Sequence, residues 1–294
     1  MLKKTILTFV AAVMISLTAL TLTFAQTDTG TPQTGYALVN GLNMYYEIRG
    51  TDTGTPLVVL HGAYMNIDLM GEIVPRLAET RQVIAVELQG HGRTEDVDRP
   101  LTYEQMADDV AALIEYLGLE SVDIFGYSMG GSVALQVTIR HPELVRKLVV
   151  TSSTYNSDGW YPELRDMIET ITPEMFAGSP VESEYLRLAP NPEDFATLVE
   201  KLVQLDLAVQ DWSAESIQGI TSPALVIVAD SDQVRPEHAV ELFRLLGGGV
   251  PGDLVGLPNS QLAVIPGATH TTILMRVDLL NTMIVEFLDA PMPE

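Results

Sequence analysis

Residues 121–141, SVDIFGYSMGGSVALQVTIRH, restrict this chain more than any other stretch. A short apolar run at 122–125 reads as a buried strand, and Val133, Leu135, Val137 and Ile139 belong to a helical pattern that stops before Pro142. Between them stands Gly126-Tyr127-Ser128-Met129-Gly130-Gly131. A strand that passes into a helix through G-x-S-x-G holds its serine on a sharp, strained corner with the hydroxyl clear of the backbone. Gly126 and Gly130 suit that corner because glycine accepts positive φ and close backbone approach. The start of the helix beneath Ser128 favours negative charge developing there. The competing reading is a glycine-rich loop that merely starts a helix.

Other motifs fall around this one in order. His61-Gly62 follows an apolar strand pattern, Gly90-His91-Gly92-Arg93 follows another, and Gly267-Ala268-Thr269-His270 comes late in the chain. With Ser128 in GYSMGG, the set resembles the α/β-hydrolase superfamily, particularly its esterase and lactonase-like members. The likeness runs from about residue 36 to residue 288. Residue 87, before the Gly-His-Gly turn, is glutamate where relatives commonly carry aspartate, and no catalytic role is attached to it.

A serine hydroxyl is a weak nucleophile at neutral pH and needs a base within hydrogen-bond reach and an acid to orient that base. The chain holds five histidines, His61, His91, His141, His238 and His270. His270 matches the family's catalytic histidine, His61 and His91 match loop-shaping positions, His141 ends the helix after the elbow, and His238 is a distant rival. The resemblance implies the order serine, acid, histidine, and Ala229-Asp230-Ser231-Asp232 supplies two acids. Asp232 matches the acid that reaches the histidine, with Asp230 as the alternative that shapes the turn. Residues 151–153, Thr-Ser-Ser, offer no acid after the sixth strand. The amide of Met129, directly after the nucleophile, is one oxyanion donor, and Ala63 resembles the position of the other. Tyr64 and Tyr127 are candidate substrate contacts, and for Tyr64 lining the acyl pocket, touching substrate and plain packing all stay open.

These residues imply acyl transfer through Ser128 on a carboxylic ester or lactone, with no cofactor and no metal. Carbon–carbon bond hydrolysis and cofactor-free perhydrolysis use the same triad and are the alternatives within enzymes. A non-catalytic ligand-binding member of the fold is the alternative of another class. Dehalogenase and epoxide-hydrolase chemistry is disfavoured, because those relatives carry aspartate where this chain has Ser128.

Composition narrows the rest. The chain has 294 residues and 47% hydrophobic content, enough for one sizeable core, and no cysteine, which removes disulfides and thiolate chemistry. Lys3 and Lys4 precede an apolar run at 6–24 and Ala25, which reads as a signal peptide over 1–25 and an exported protein, periplasmic or extracellular. A retained membrane anchor is the alternative. Cleavage would remove two lysines and no acids, making the mature chain more acidic than the −23 of the full sequence. Such a charge argues against nucleic acid and against stable membrane association once the signal is cleaved, and leaves a small-molecule ester or lactone as the expected partner. Oligomeric state is not legible.

The remaining patterns predict an α/β fold, a mostly parallel, doubly wound sheet of about eight strands with a helical cap insertion. A polar linker at 26–35 leads to a core at 36–153, a cap at 154–219 and the rest of the core at 220–294. Strands are expected at 36–39, 44–48, 57–60, 83–88, 122–125, 147–150, 224–229 and 261–265, and helices at 68–79, 103–117, 130–140, 236–246 and 272–288. Asn40-Gly41 marks a hairpin between the first two strands. The long glycine- and proline-rich loop at 247–259 is either a surface excursion or an edge of the active-site mouth. Ser128, His61, the 230–232 acids and His270 all follow strands, so they converge on one rim of the sheet.

Overall fold

A computed structural model describes residues 31–51 and 54–292. The expected signal peptide, and the first part of the polar linker, lie outside the described residues. One eight-stranded sheet runs in the order β1-β2-β4-β3-β5-β6-β7-β8. The hairpin of β1 (Gln33–Val39) and β2 (Leu42–Arg49) is antiparallel and turns at Asn40-Gly41, where both residues have positive φ. All neighbours from β4 onward are parallel: β3 (Leu57–Leu60), β4 (Val83–Val86), β5 (Val122–Tyr127), β6 (Val145–Thr151), β7 (Ala224–Ser231) and β8 (Ser260–Thr269).

Every residue of β3 and β4 is buried, because helices cover both faces of the sheet. Side chains alternate between two cores: Val58, Leu60, Ile84 and Val86 face one, while Leu57, Val59, Val83 and Ala85 face the other. The chain lays down β3, crosses to β4 and returns to place β5 on the opposite side of β3. The crevice at such a reversal of strand order, beyond the carboxyl ends of the strands, is where an open α/β sheet binds ligands.

Several expected boundaries shift for identifiable reasons. β1 starts at Gln33, inside the expected linker, since pairing of Gln33, Thr34 and Gly35 with β2 needs only backbone. β4 stops at Val86 because the Glu87 carboxylate turns to the amide of Arg93 at 2.5 Å and the chain leaves the sheet. The helix expected at 68–79 is broken by Gly71, at φ 65°, into a turn at Asp68–Met70 and a helix at Ile73–Leu77. The helix expected at 272–288 splits at Arg276 into a turn at Ile273–Met275 and a helix at Val277–Asp289, and the Arg276 guanidinium donates to the Gly267 carbonyl at 2.7 Å. β8 continues through Pro266, which an edge strand tolerates because the missing N–H faces outward.

The segment between β6 and β7 forms the helices Pro162–Ile168, Pro180–Leu188, Phe195–Leu207 and Ala214–Gln218, and no named strand. The loop at 247–259 contains the short helix Gly252–Val255 and exposes Leu254 and Leu257. It enters β8 from the amino-terminal end, opposite the rim that carries Ser128, so it is a surface excursion and not an edge of the mouth.

Candidate active site

The corner after β5 has the strain its glycines foretell. Ser128 stands at φ 53° and ψ −122°, a region that costs a non-glycine residue roughly 1–3 kcal/mol. Backbone bonds fix it there: its amide donates to Thr151 at 2.9 Å, and its carbonyl accepts from Gly131 at 2.8 Å and Ser132 at 3.2 Å. Gly126 and Gly130 serve through close approach, and neither has positive φ. A Cβ on Gly130 would stand 2.6 Å from the His61 carbonyl oxygen and closer still to that of Leu60. The elbow helix, Met129–Arg140, is thereby seated against the end of β3.

His270 follows β8 and meets Ser128 across the rim. The two groups are in register, the Ser128 hydroxyl lying 2.9 Å from His270 Nε2 and His270 Nδ1 2.7 Å from Asp232 Oδ1. A carboxylate only accepts, so Nδ1 carries the proton, and Nε2 accepts from the serine. Asp232, just past β7, is buried, and three further donors converge on it: the Ser152 hydroxyl at 2.5 Å and the Ala229 amide at 3.0 Å on Oδ2, and the Val234 amide at 3.1 Å on Oδ1. Burial pushes its carboxyl up, but His270, Ser152 and Ala229 together hold it below the ordinary aspartate value.

Ser152 is the participant that sequence reasoning missed. It sits at φ 52°, and its amide donates to Ile227 at 2.8 Å, so a strained backbone aims its hydroxyl from the end of β6 at Asp232, past the end of neighbouring β7. A search for an acid after the sixth strand passes over a serine that supplies a donor instead. Its place directly after β6, beside the strand that ends at the acid, is the only signal the sequence offers.

Because β3 and β5 are neighbours, with Leu60 opposite Gly126, the residues that follow them meet beside the elbow. The amides of Ala63 and Met129 have no hydrogen-bond partner among the described residues. Tyr64 stands at φ 61°, its ring stacked on Phe176 at 5.0 Å, and its buried hydroxyl has no partner. With His91, Phe195 and Leu198 it lines a narrow cavity under the inserted helices. Tyr127 does not face that space. It is 3% exposed, packs in the core that holds Phe125 and Ile265, and its hydroxyl donates to the His270 carbonyl at 2.6 Å. The expected substrate contact is replaced by a support for the histidine's backbone.

The other histidines are placed elsewhere. His61 bridges the Gly62 carbonyl at 2.8 Å and the Leu88 amide at 3.1 Å, and burial, then His91, lowers its pKa to about 3. His91 lies 2.9 Å from the Gln89 carbonyl, and burial lowers it to about 4. His141 meets Asp108 at 2.9 Å on the outer side of the elbow helix, and His238 is stacked on Tyr155 with ring centroids 4.6 Å apart. Asp230 caps the loop before His270, accepting from Gly267 at 2.8 Å and Ala268 at 3.3 Å. Burial pushes Glu87 up to about 7 against its bonds to Arg93, with which it braces the Gly-His-Gly turn.

Comparison with known proteins agrees with this geometry at the level of the fold. The family model described as the alpha/beta hydrolase fold matches residues 55–214, more than half of the chain. A pimeloyl-[acyl-carrier protein] methyl ester esterase of Pectobacterium carotovorum is 27% identical over 278 residues, covering 84% of this chain and 99% of that protein. A 2-hydroxymuconate semialdehyde hydrolase of Pseudomonas sp. strain CF600 is 33% identical over 110 residues, 36% of this chain and 39% of its own length. Among solved structures, the 2-hydroxy-6-oxo-6-phenylhexa-2,4-dienoate hydrolase of Rhodococcus sp. strain RHA1 superposes with a TM-score of 0.69 at 22% identity, covering 88% of this chain and 99% of that one.

Proposed function

The chain belongs to the alpha/beta hydrolase fold family, and from that membership we propose that it is a serine hydrolase of carboxylic esters or lactones. The observation that carries the reading is the unbroken chain from Ser128 through His270 to Asp232, with contacts of 2.9 and 2.7 Å. In this reading Ser128 attacks the carbonyl carbon as His270 Nε2 takes its proton, and Asp232 stabilises the imidazolium. The oxygen becomes anionic between the free amides of Ala63 and Met129, each worth about 3–4 kcal/mol to such a transition state. The amides are rigid, one at a helix start and the other on a loop fixed by β3, so they need no reorganisation during the reaction. His270 returns the proton to the leaving alcohol, and a water activated by the same ring then cleaves the acyl-enzyme and restores Ser128.

The inserted helices at 154–219 act in this scheme as a cap over the rim. Trp160 lies edge-on to His270 at 5.8 Å and Phe176 stacks on Tyr64, so aromatic rings of the insertion touch the serine's surroundings. The chain is further proposed to be exported by its N-terminal apolar segment; N-terminal sequencing of secreted material beginning near Gln26 would support this, and an intact segment in a membrane fraction would replace it with an anchor.

Hydrolysis of a panel of p-nitrophenyl esters tests the reading. Ser128→Ala and His270→Ala are each expected to lower kcat by about 10³-fold or more with the circular dichroism spectrum unchanged. A wild-type protein that neither cleaves the panel nor is labelled at Ser128 by a fluorophosphonate would overturn it in favour of a ligand-binding member of the fold.

A further inference from the structure

The Ser128 hydroxyl and the Asp232 carboxylate meet the His270 imidazole at its two nitrogens, and bonds at those two points leave the ring free to tilt about the line between them. Neighbouring rings restrain that tilt. The Tyr127 ring centroid lies 5.4 Å from that of His270 at 35°, and Trp160 stands edge-on at 5.8 Å and 60°. The two rings come from different cores, Tyr127 from the one that holds Phe125 and Trp160 from the one that holds Val234. Tyr127 is fixed by β5 and by the bond from its hydroxyl to the His270 carbonyl. Trp160 belongs to the insertion, so whatever fixes it decides how well the imidazole is held.

The start of the insertion is fastened to the segment that follows Asp232. Trp160 pairs with Val234 in an antiparallel bridge, and the Arg235 amide donates to the Gly159 carbonyl at 2.8 Å. The Arg235 guanidinium donates twice to the Asp158 carbonyl, from Nε at 2.8 Å and from Nη2 at 2.5 Å, and makes no other hydrogen bond or ion pair among the described residues. A Cβ on Gly159 would stand 2.7 Å from His238 Cδ2 and closer still to Thr154 Cγ2, so the turn Ser157–Gly159 lies directly on the helix Pro236–Leu245. On the same segment the Val234 amide donates to Asp232 Oδ1 at 3.1 Å. The residue that bridges to Trp160 therefore also holds the acid, and Asp232, Val234, Arg235 and Trp160 form one unit around His270.

We propose that Trp160 and Arg235 are positioning residues: Trp160 holds the His270 imidazole in the orientation that joins Asp232 to Ser128, and Arg235 holds Trp160 there through the Asp158 carbonyl. A side chain whose orientation is locked by packing keeps the reacting atoms aligned, and a small misplacement of the base is costly in rate. Two parallel N–H bonds from a charged guanidinium fix the turn more firmly than one neutral bond, and a lysine could supply only one of them. The insertion and the Ser128–His270–Asp232 chain are thereby coupled, since a shift of the turn at 157–159 moves both the ring against His270 and the amide on Asp232. The effect on rate rests on the proposed reaction at Ser128, but the clamp on Trp160 does not.

The test pairs steady-state kinetics on p-nitrophenyl butanoate with acrylamide quenching of tryptophan emission. Trp160→Leu should lower kcat by about tenfold with KM within about twofold of the wild type, and Trp160→Phe, which keeps a ring, should recover most of the loss. Arg235→Met should lower kcat by about three- to tenfold, again at nearly constant KM, and Arg235→Lys should lose less. The chain has only two tryptophans, Trp160 and Trp212, so in a Trp212→Phe background the emission reports Trp160 alone. There Arg235→Met should raise the quenching constant by about twofold or more, and Arg235→Lys by less. A rise in KM with kcat unchanged, a Trp160→Phe protein as slow as Trp160→Leu, or quenching that Arg235→Met leaves unaltered would overturn the assignment. A wild type that cleaves no ester would sink the hydrolase reading, and the quenching contrast would then decide the clamp by itself; cleavage at a kcat indifferent to Trp160→Leu would overturn the positioning role and keep the hydrolase.

Discussion

The rim of the sheet and the helical segment above it meet the same problem, polar groups away from bulk water, in opposite ways. On the rim, Asp232 takes hydrogen bonds from His270, Ser152, Ala229 and Val234, and the His270 backbone is held by Tyr127. Above it, the buried Tyr64 hydroxyl has no partner among the described residues, and the contacts are mainly aromatic: Phe176 on Tyr64, Phe195 edge-on to Phe176, Trp160 edge-on to His270. A fully satisfied network fixes geometry and costs nothing to reorganise when charge moves through it. Under the proposed hydrolysis, the difference separates the part that carries the chemistry from the part that selects what reaches it.

The sharpest way to break that comparison is to change an acid on the rim while keeping its shape. Asp232→Asn is expected to lower kcat by about 10⁴-fold on a p-nitrophenyl ester, the order of loss when the acid orienting a catalytic histidine is amidated. Asp230→Asn, two residues away, should cost less than about tenfold, because its carboxylate holds only the Gly267 and Ala268 amides. Steady-state kinetics of the two variants would decide between them, and equal losses would mean that loop shape, not orientation of His270, is what the rim supplies.

A smaller effect should come from Ser152, whose hydroxyl reaches Asp232 from β6. Removing a hydrogen bond to a carboxylate is worth about 1.5–3 kcal/mol, so Ser152→Ala should lower kcat by about 10- to 100-fold. KM should stay near the wild-type value, and Ser152→Thr should restore part of kcat because it keeps the hydroxyl. A rise in KM with kcat unchanged would move Ser152 from the positioning of Asp232 to the binding of substrate.

Legibility in the sequence follows the same division. β3 is a continuous apolar run, β5 is one broken only by Asp123, and the elbow glycines sit where backbone approach requires them, so strand, corner and helix were readable without a structure. His270 and Asp232 were readable through the resemblance, which assigns them by their order in the chain and their place after a strand. Ser152 was not, since a serine after a strand carries no chemical mark until β6 and β7 are known to be neighbours. Tyr127 was misjudged because strand alternation, which turns it into the Phe125 core, continues to the residue before Ser128. Asp206 was hidden for another reason: within a helix of 13 residues an acid reads as solvent-facing, yet it continues the stripe of Leu202 and Val203 and is half-buried.

The smallest expected effect concerns stability and isolates Asp206, a half-buried acid with no partner among the described residues. Burial alone raises the Asp206 carboxyl to about 7. In the unfolded chain the group titrates near the ordinary aspartate value of about 4. Between these two values the folded protein holds a proton that the unfolded chain has released, so stability falls as pH rises from about 4 to about 7 and is level above that. Asp206→Asn carries no such group. The variant and the wild type should therefore differ least at about pH 4, and the variant should gain up to about 1–2 kcal/mol by pH 8, allowing for water that reaches the carboxylate, or roughly 2–8 °C in Tm. Thermal unfolding at several pH values reads the gap directly. A gap that does not change with pH would make Asp206 an ordinary solvated acid.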